Sequence, residues 1–372
     1  MKKSILALAV LSAFAGVASA QSSVTLYGRA DVGFTRFDPK AGNTSDVSAT
    51  TGISSGNLGG SRWGIRGSED LGGGMKGIFT LEGGYGQDDG TLGQGGRLFG
   101  RQAWAGLEGG FGSFVMGRIA SFSSGTGSFD KFGGLDPFRT GYGNVGLQAT
   151  FASSSALRLD NTVAYMTPNM GGFSAGAGYT FRAGGQELAG GNGSNNAGYI
   201  TYINFGSGPF YGVVTYDNFK LGEVAGDPSQ KHLQVGLSWD FKVIKLSAAY
   251  ASETEQYALG PAGISFATTP SSTASTSGAV QATATDATAY MVGAIVPIGP
   301  HRLAASYQSR ESDAIRGLQE GERTVWTLGY EYSFSRRTTG YIVYGNVSDK
   351  KGYKSGNWGG ITQTFVGLSH AF

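Results

Sequence analysis

From residue 23 to its last residue, this 372-residue chain alternates apolar with small or polar side chains, one for one, segment after segment. In Lys231–Phe241, residues Leu233, Val235, Leu237, Trp239 and Phe241 share one parity, and His232, Gln234, Gly236, Ser238 and Asp240 share the other. Phe173–Arg182 and Val325–Tyr332 repeat the pattern. A period of two is that of a strand, whose successive side chains point to opposite faces, so each segment has one oily face. The 65 glycines, the 12% aromatics and a charged fraction of only 15% set the chain apart from ordinary soluble domains, in which about a quarter of residues are charged. An apolar, aromatic-rich chain can bury surface, which excludes disorder. Glycine without a three-residue period excludes collagen. The absence of cysteine excludes disulfide scaffolds and thiolate metal sites. A near-neutral charge leaves no electrostatic footprint for nucleic acid.

The first twenty residues read as a processing segment. Lys2 and Lys3 precede an apolar run from Ile5 to Val17, and Ala18-Ser19-Ala20 supplies a small-residue cleavage site. The run is too short to anchor a chain in a bilayer, so residues 21–372 are expected to form one exported domain. Its connections alternate in length. Short ones fall at Leu71–Gly74, Gly109–Gly112, Pro168–Gly172, Gly206–Pro209, near Lys242, Pro297–Pro300 and Ser335–Arg337. Long ones fall near 37–59, 86–96, 119–156, 183–196, 219–230, 253–286, 311–321 and 348–359. These links join sixteen strands. Dividing the 352 residues after position 20 by sixteen leaves 22 per strand and connection, enough for a membrane-crossing strand of about ten residues.

A soluble sandwich hides its oily faces and shows water a charged one, whereas a membrane barrel turns oily faces to lipid and polar ones to a lumen. Gly, Ser and Thr fill the polar parity, and Tyr, Trp and Phe end the oily faces in the manner of interfacial girdles. Backbone groups cannot be left bare in lipid, so such a sheet has to close. The chain also ends inside a strand, with Thr364, Val366, Leu368, His370 and terminal Phe372 on one face. The expectation is an all-β, 16-stranded antiparallel transmembrane β-barrel with an inward-folded third long loop.

Several stretches resemble the general-diffusion porins of Gram-negative outer membranes, of the beta-proteobacterial and neisserial type. They are Ser23–Gly28, Ser61–Gly72, Arg101–Leu107, Phe111–Arg118 and Val366–Phe372. The resemblance implies sixteen strands, a homotrimer in outer-membrane lipid and lipopolysaccharide, and passive permeation of ions and small hydrophilic solutes. It implies that Phe372 is read by the barrel-assembly machinery. It also makes residues 119–156 an eyelet folded into the lumen. The charges of that loop are Asp130, Lys131, Asp136 and Arg139; Lys131 stands before Phe132-Gly133-Gly134, where similar porins carry an acid. Strand parity puts Arg29, Asp31, Arg62, Arg66, Glu82, Arg158 and Asp160 on the lumen side, with Leu157, Leu159 and Val163 outward. Arg101 and Arg118 join the candidate wall, although both lie at strand ends. Wall arginines facing loop carboxylates would set a transverse field across the waist, and their excess points to a weak anion preference.

No cofactor or metal is expected. His232, His301 and His370 lack metal or triad spacing, and Gly141–Gly146 matches GxGxxG without the strand–helix context that motif needs. A barrel enzyme would need one of these histidines beside a serine. A substrate-specific channel would need aromatics along the lumen parity, which instead reads Gly, Ser, Thr and Arg.

Overall fold

A computed structural model describes residues 22–41, 48–138, 145–151, 158–185, 196–221, 229–256, 285–313, 320–351 and 358–372. The expected signal segment 1–20 and Arg139 lie outside the described residues. Strands account for most of what is described. They are β1 (Ser23–Ala41), β2 (Thr50–Ser55), β3 (Arg62–Gly72), β4 (Met75–Gly84), β5 (Gln102–Gly109), β6 (Gly112–Ile119), β7 (Leu159–Met166) and β8 (Phe173–Thr180). After these come β9 (Asn196–Ser207), β10 (Phe210–Leu221), β11 (Ser229–Asp240), β12 (Lys245–Gln256), β13 (Thr285–Ile298), β14 (His301–Ser312), β15 (Gly321–Ser333), β16 (Thr338–Lys351) and β17 (Trp358–Ala371).

Each strand pairs antiparallel with its sequence neighbour, and β1 closes the ring. Its first half, Ser23–Arg29, pairs with β3. Its second half pairs with β17, from Arg29 opposite Ala371 to Ala41 opposite Trp358, and on its other edge with β2. Since β2 and β3 are successive halves of one crossing, broken at residues 56–61, the barrel has sixteen crossings. The break corrects the first long link, expected over 37–59: β1 runs on to Ala41 and pairing resumes at Thr50.

The faces are inverted relative to a soluble sheet. On β11, Leu237 and Trp239 are 48% and 45% exposed, while Gln234 and His232 on the other face are 0% and 1% exposed. Leu26, Phe34, Ile203, Val292, Leu328 and Val366 are likewise exposed on the outside. In water each such side chain would forgo roughly 1.5–3 kcal/mol of burial, so this belt is stable only against hydrocarbon.

The apolar core lies inside the barrel instead, between its wall and the long segment after β6. Phe122, Phe132, Leu135, Phe138, Val145, Leu147 and Phe151 of that segment are fully buried. They fit because the lumen face of the wall is lined with glycine where they lie. A Cβ on Gly236 would overlap Leu135, one on Gly293 would overlap Pro137, one on Gly329 would overlap Phe138, and one on Gly345 would overlap Val145. The four glycines sit on β11, β13, β15 and β16, and together they form a trench for Leu135, Pro137, Phe138 and Val145.

One parity expectation fails. Leu159, read as outward, is fully buried against Ile119 and Phe122, because Asn161 has a left-handed backbone (φ 48°) that interrupts the alternation of β7. At the seam, Gly28 and Phe372 exchange backbone hydrogen bonds of 3.1 Å each way, and the Phe372 ring lies where a Cβ on Gly28 would stand. Gly28→Val is therefore expected to obstruct ring closure, at about 1–3 kcal/mol or more of overpacking. The measurement is the yield of heat-modifiable, folded protein after refolding in detergent, which should fall well below that of Gly77→Val, a site whose nearest neighbour is the end of Leu71 at 3.8 Å.

Candidate pore lining and its charges

The register of the first strands brings four of the expected arginines together. Arg29 on β1 lies directly opposite Arg62 on β3, and two rungs along the same lumen face Gly64 stands opposite Glu82 on β4. Like charges set opposite one another in a ladder destabilise it, so the Arg29–Arg62 pair has to be held by other contacts. Arg29 donates to Ser369 Oγ at 3.2 Å, and Arg62 to the carbonyl of Gly60 at 3.0 Å.

Glu82 is the carboxylate at the centre of the group. It accepts Arg101 Nε at 2.7 Å and Tyr27 OH at 3.0 Å, and Arg62 Nε stands 3.5 Å away. Arg101 precedes β5 and is carried to Glu82 by its backbone, which bonds the Glu82 carbonyl at 3.1 Å. Arg158 completes the set, within electrostatic reach of Arg101, Arg118, Glu82 and Arg62. Burial, and then the like charges of Arg101 and Arg118, push its guanidinium down to about 9, which leaves it charged at neutral pH. Arg62 and Arg101 thus hold one carboxylate between them, with Arg158 within electrostatic reach of it and Arg29 opposite Arg62.

The other expected wall residues lie elsewhere. Arg66 is on the lumen parity but two positions beyond Gly64 toward the short turns, over the ring of Tyr27 at 5.2 Å. Arg118, whose facing the sequence leaves open, pairs with Ala103 on the row Leu26–Ile65–Leu81–Ala103, the outward parity. It donates to the Gly100 carbonyl and to Asp160, which also binds Arg97 at 2.8 Å. Asp160 is therefore engaged by this rim cluster, with the Gly185 N–H as a further donor. Asp31 is fully buried and holds the Leu58 N–H and the Tyr341 hydroxyl; it contributes no open lumen charge.

The carboxylates expected to face the arginines are turned into their own loop. Asp130 accepts backbone N–H groups from Gly125 (2.7 Å), Phe132 (3.2 Å) and Gly133 (2.8 Å). Burial pushes its carboxyl up to about 6 against the pull of those donors. Asp136 accepts Phe138 N and Leu147 N at 2.9 Å each. Lys131 lies over the ring of Tyr202 at 4.8 Å. Short side-chain acids at bends compete well for backbone donors, and parity counting cannot see that preference.

Residues missed by sequence reasoning hang the segment from the wall. On one flank Ser123 donates to Asp217 at 2.6 Å; on the other, Thr150 donates to Gln308 at 2.6 Å and its carbonyl accepts Arg310 at 2.9 Å. Between them Tyr211 OH bonds the Lys131 carbonyl (2.6 Å), Lys245 Nζ the Gly134 carbonyl (2.9 Å) and Thr327 Oγ1 the Val145 carbonyl (2.6 Å). Arg310 is itself paired with Glu253, and Arg323 with Asp349 at 2.7 Å. The signal was present as polar residues at lumen parity, but their partners are up to 182 positions away in the chain.

With this packing, a larger side chain in the glycine trench should lift the segment toward the axis. Gly329→Leu is expected to lower single-channel conductance in planar bilayers while the folded band is kept.

The barrel is also the architecture of known proteins. An anion-selective porin from Comamonas acidovorans superposes with a TM-score of 0.73 at 26% identity, covering 95% of this chain and all of that one. An outer membrane porin protein of Bordetella pertussis is 35% identical, and outer membrane porin protein 32 of Delftia acidovorans 33% identical, each over the full length of both chains. The family profile described as Gram-negative porin matches residues 7–352, so a closed barrel whose oily face looks outward and whose charged face looks inward is, in this chain, that of the Gram-negative porins of the outer membrane.

Proposed function

We propose that this porin is a general-diffusion channel that prefers anions weakly, and that it works as a homotrimer. The carrying observation is the crowding of arginines in one sector of the wall, where Arg62 and Arg101 share the carboxylate of Glu82, Arg158 lies within its electrostatic reach and Arg29 stands opposite Arg62. Low-dielectric walls focus the field of such a group on the aqueous space beside it, and an arginine cannot lose its charge by titration in the physiological range. Because Asp130 and Asp136 are satisfied by loop backbone, the field is one-sided rather than transverse. A solute is steered by attraction to one wall, and apolar solutes are disfavoured because entering means leaving water beside fixed charges. The described residues between 119 and 151 act as part of an eyelet that narrows the lumen opposite that wall. The anion-selective relative from Comamonas acidovorans supports the sign.

The trimer reading rests on the uneven outer surface. Small residues Ala30, Gly77, Ala103 and Ala105 interrupt the outward rows of β1 to β5, while Tyr250, Tyr290, Tyr307, Trp326 and Tyr344 crowd the opposite side. The side with fewer bulky residues is the one offered to identical copies, and the aromatic side suits the lipid and lipopolysaccharide interface. Terminal Phe372 serves as the strand signal for the barrel-assembly machinery. The channel reading leaves His232 a structural role, bracketed by Asp217 and Glu253, with Ser123 donating to the same Asp217.

Purified protein in a planar bilayer under a salt gradient should show a reversal potential of anion-selective sign and closures in steps of three. Arg158→Ala should move the potential toward zero and Glu82→Gln should move it further to the anion side. A cation-selective reversal potential in the unmodified protein would refute the proposal.

A further inference from the structure

The break between β2 and β3 is a built element. Residues Gly56–Ser61 leave the sheet and turn into the lumen, where Leu58 is buried with Phe138 and Val145 of the eyelet and with Phe365 of β17. Asp31 anchors the turn from behind. Its carbonyl accepts Gly56 N at 2.9 Å and Ser61 Oγ at 3.0 Å, its own N–H donates to Ser61 Oγ at 3.1 Å, and its carboxylate takes the Leu58 N–H at 3.4 Å. Tyr341 OH bonds the same carboxylate at 2.9 Å and accepts Asn57 Nδ2 at 3.3 Å. Gly56 has φ +73°, a conformation that favours glycine, and it starts the turn.

This fixed turn passes between the arginines. The Gly60 carbonyl accepts Arg62, a Cβ on Gly60 would stand 2.9 Å from Arg101 Nη1, and one on Gly59 would stand 3.1 Å from Arg29 Nη1. Two guanidinium groups lie against backbone only because these two residues have no side chain, and a third is tied to the turn by a hydrogen bond. We infer that the inward turn Gly56–Ser61 is a specificity-determining element of the channel, with Gly59 and Gly60 positioning Arg29 and Arg101 where their fields add to those of Arg62 and Arg158.

The inference rests on the arginine wall setting the anion preference, and the test separates the two. Anion-to-cation permeability ratios are taken from reversal potentials in potassium chloride gradients for Gly60→Ala, Arg101→Ala and the double variant. A methyl on Gly60 meets the far end of a flexible side chain rather than backbone, so Gly60→Ala is expected to fold and insert. It should push the Arg101 fork out of the cluster and lower the ratio by about two-fold or more, in the range of contacts between neighbouring residues. In the Arg101→Ala background the same change should have no further effect.

If Arg101→Ala lowers the ratio but Gly60→Ala leaves it unchanged, the turn has no positioning role and the inference fails while the wall reading stands. An equal effect of Gly60→Ala in both backgrounds would also overturn it, because the effect would not pass through Arg101. If Arg101→Ala itself changes nothing, the wall reading fails. Gly59→Ala with Arg29→Ala repeats the cycle at the second contact; should neither glycine variant form channels, the turn serves folding alone and the inference is wrong.

Discussion

Everything in this molecule follows from the cost of a bare backbone in hydrocarbon. An N–H or C=O without a partner costs several kcal/mol there, so the sheet has to end where it began. The split pairing of β1 achieves this, with one half on β3 and the other on β17, and the seam is finished by the Gly28–Phe372 exchange. Closure removes both sheet edges at once and leaves a cylinder whose outward face must be apolar and whose inward face is free to carry charge.

That freedom is used unevenly. The lumen holds an apolar core, a buried polar framework and an arginine cluster, each against a different sector of wall. Glycines on β11, β13, β15 and β16 make room for the eyelet, and hydrogen bonds from Tyr211, Lys245 and Thr327 tie it down. Arg310 and Arg323 brace its distal flank through Glu253 and Asp349. Removing one partner of such buried pairs costs about 3–5 kcal/mol, so these wall residues are held in place for the carbonyls they bind. The arginines of β1 and β3 repel across a ladder rung, which works against the stability of that sector. A fold keeps such a conflict where the charge itself has a use.

Acids illustrate how position decides role. Glu82, Asp31, Asp130 and Asp136 are chemically alike, yet one balances arginines, one anchors a turn, and two cap loop donors. Glu82 and Asp31 share the lumen parity, but lumen parity is not the same as facing the channel water. The eyelet acids were legible as loop residues, while their capture by Gly125, Gly133, Phe138 and Leu147 depends on bends that no period reveals.

The amino-acid order alone determined the strand faces and the even number of crossings, because each is written locally as a period of two or as spacing between turns. It misplaced Leu159, whose parity was lost at the left-handed Asn161, and it left open the facing of Arg118 at the end of β6. Tertiary structure alone decided where the second crossing breaks, which glycines form the trench, and which arginines meet. Those outcomes rest on contacts such as Asp31 with Tyr341 or Thr327 with Val145, 310 and 182 residues apart, and only closure of the ring brings such distant segments within reach of one another.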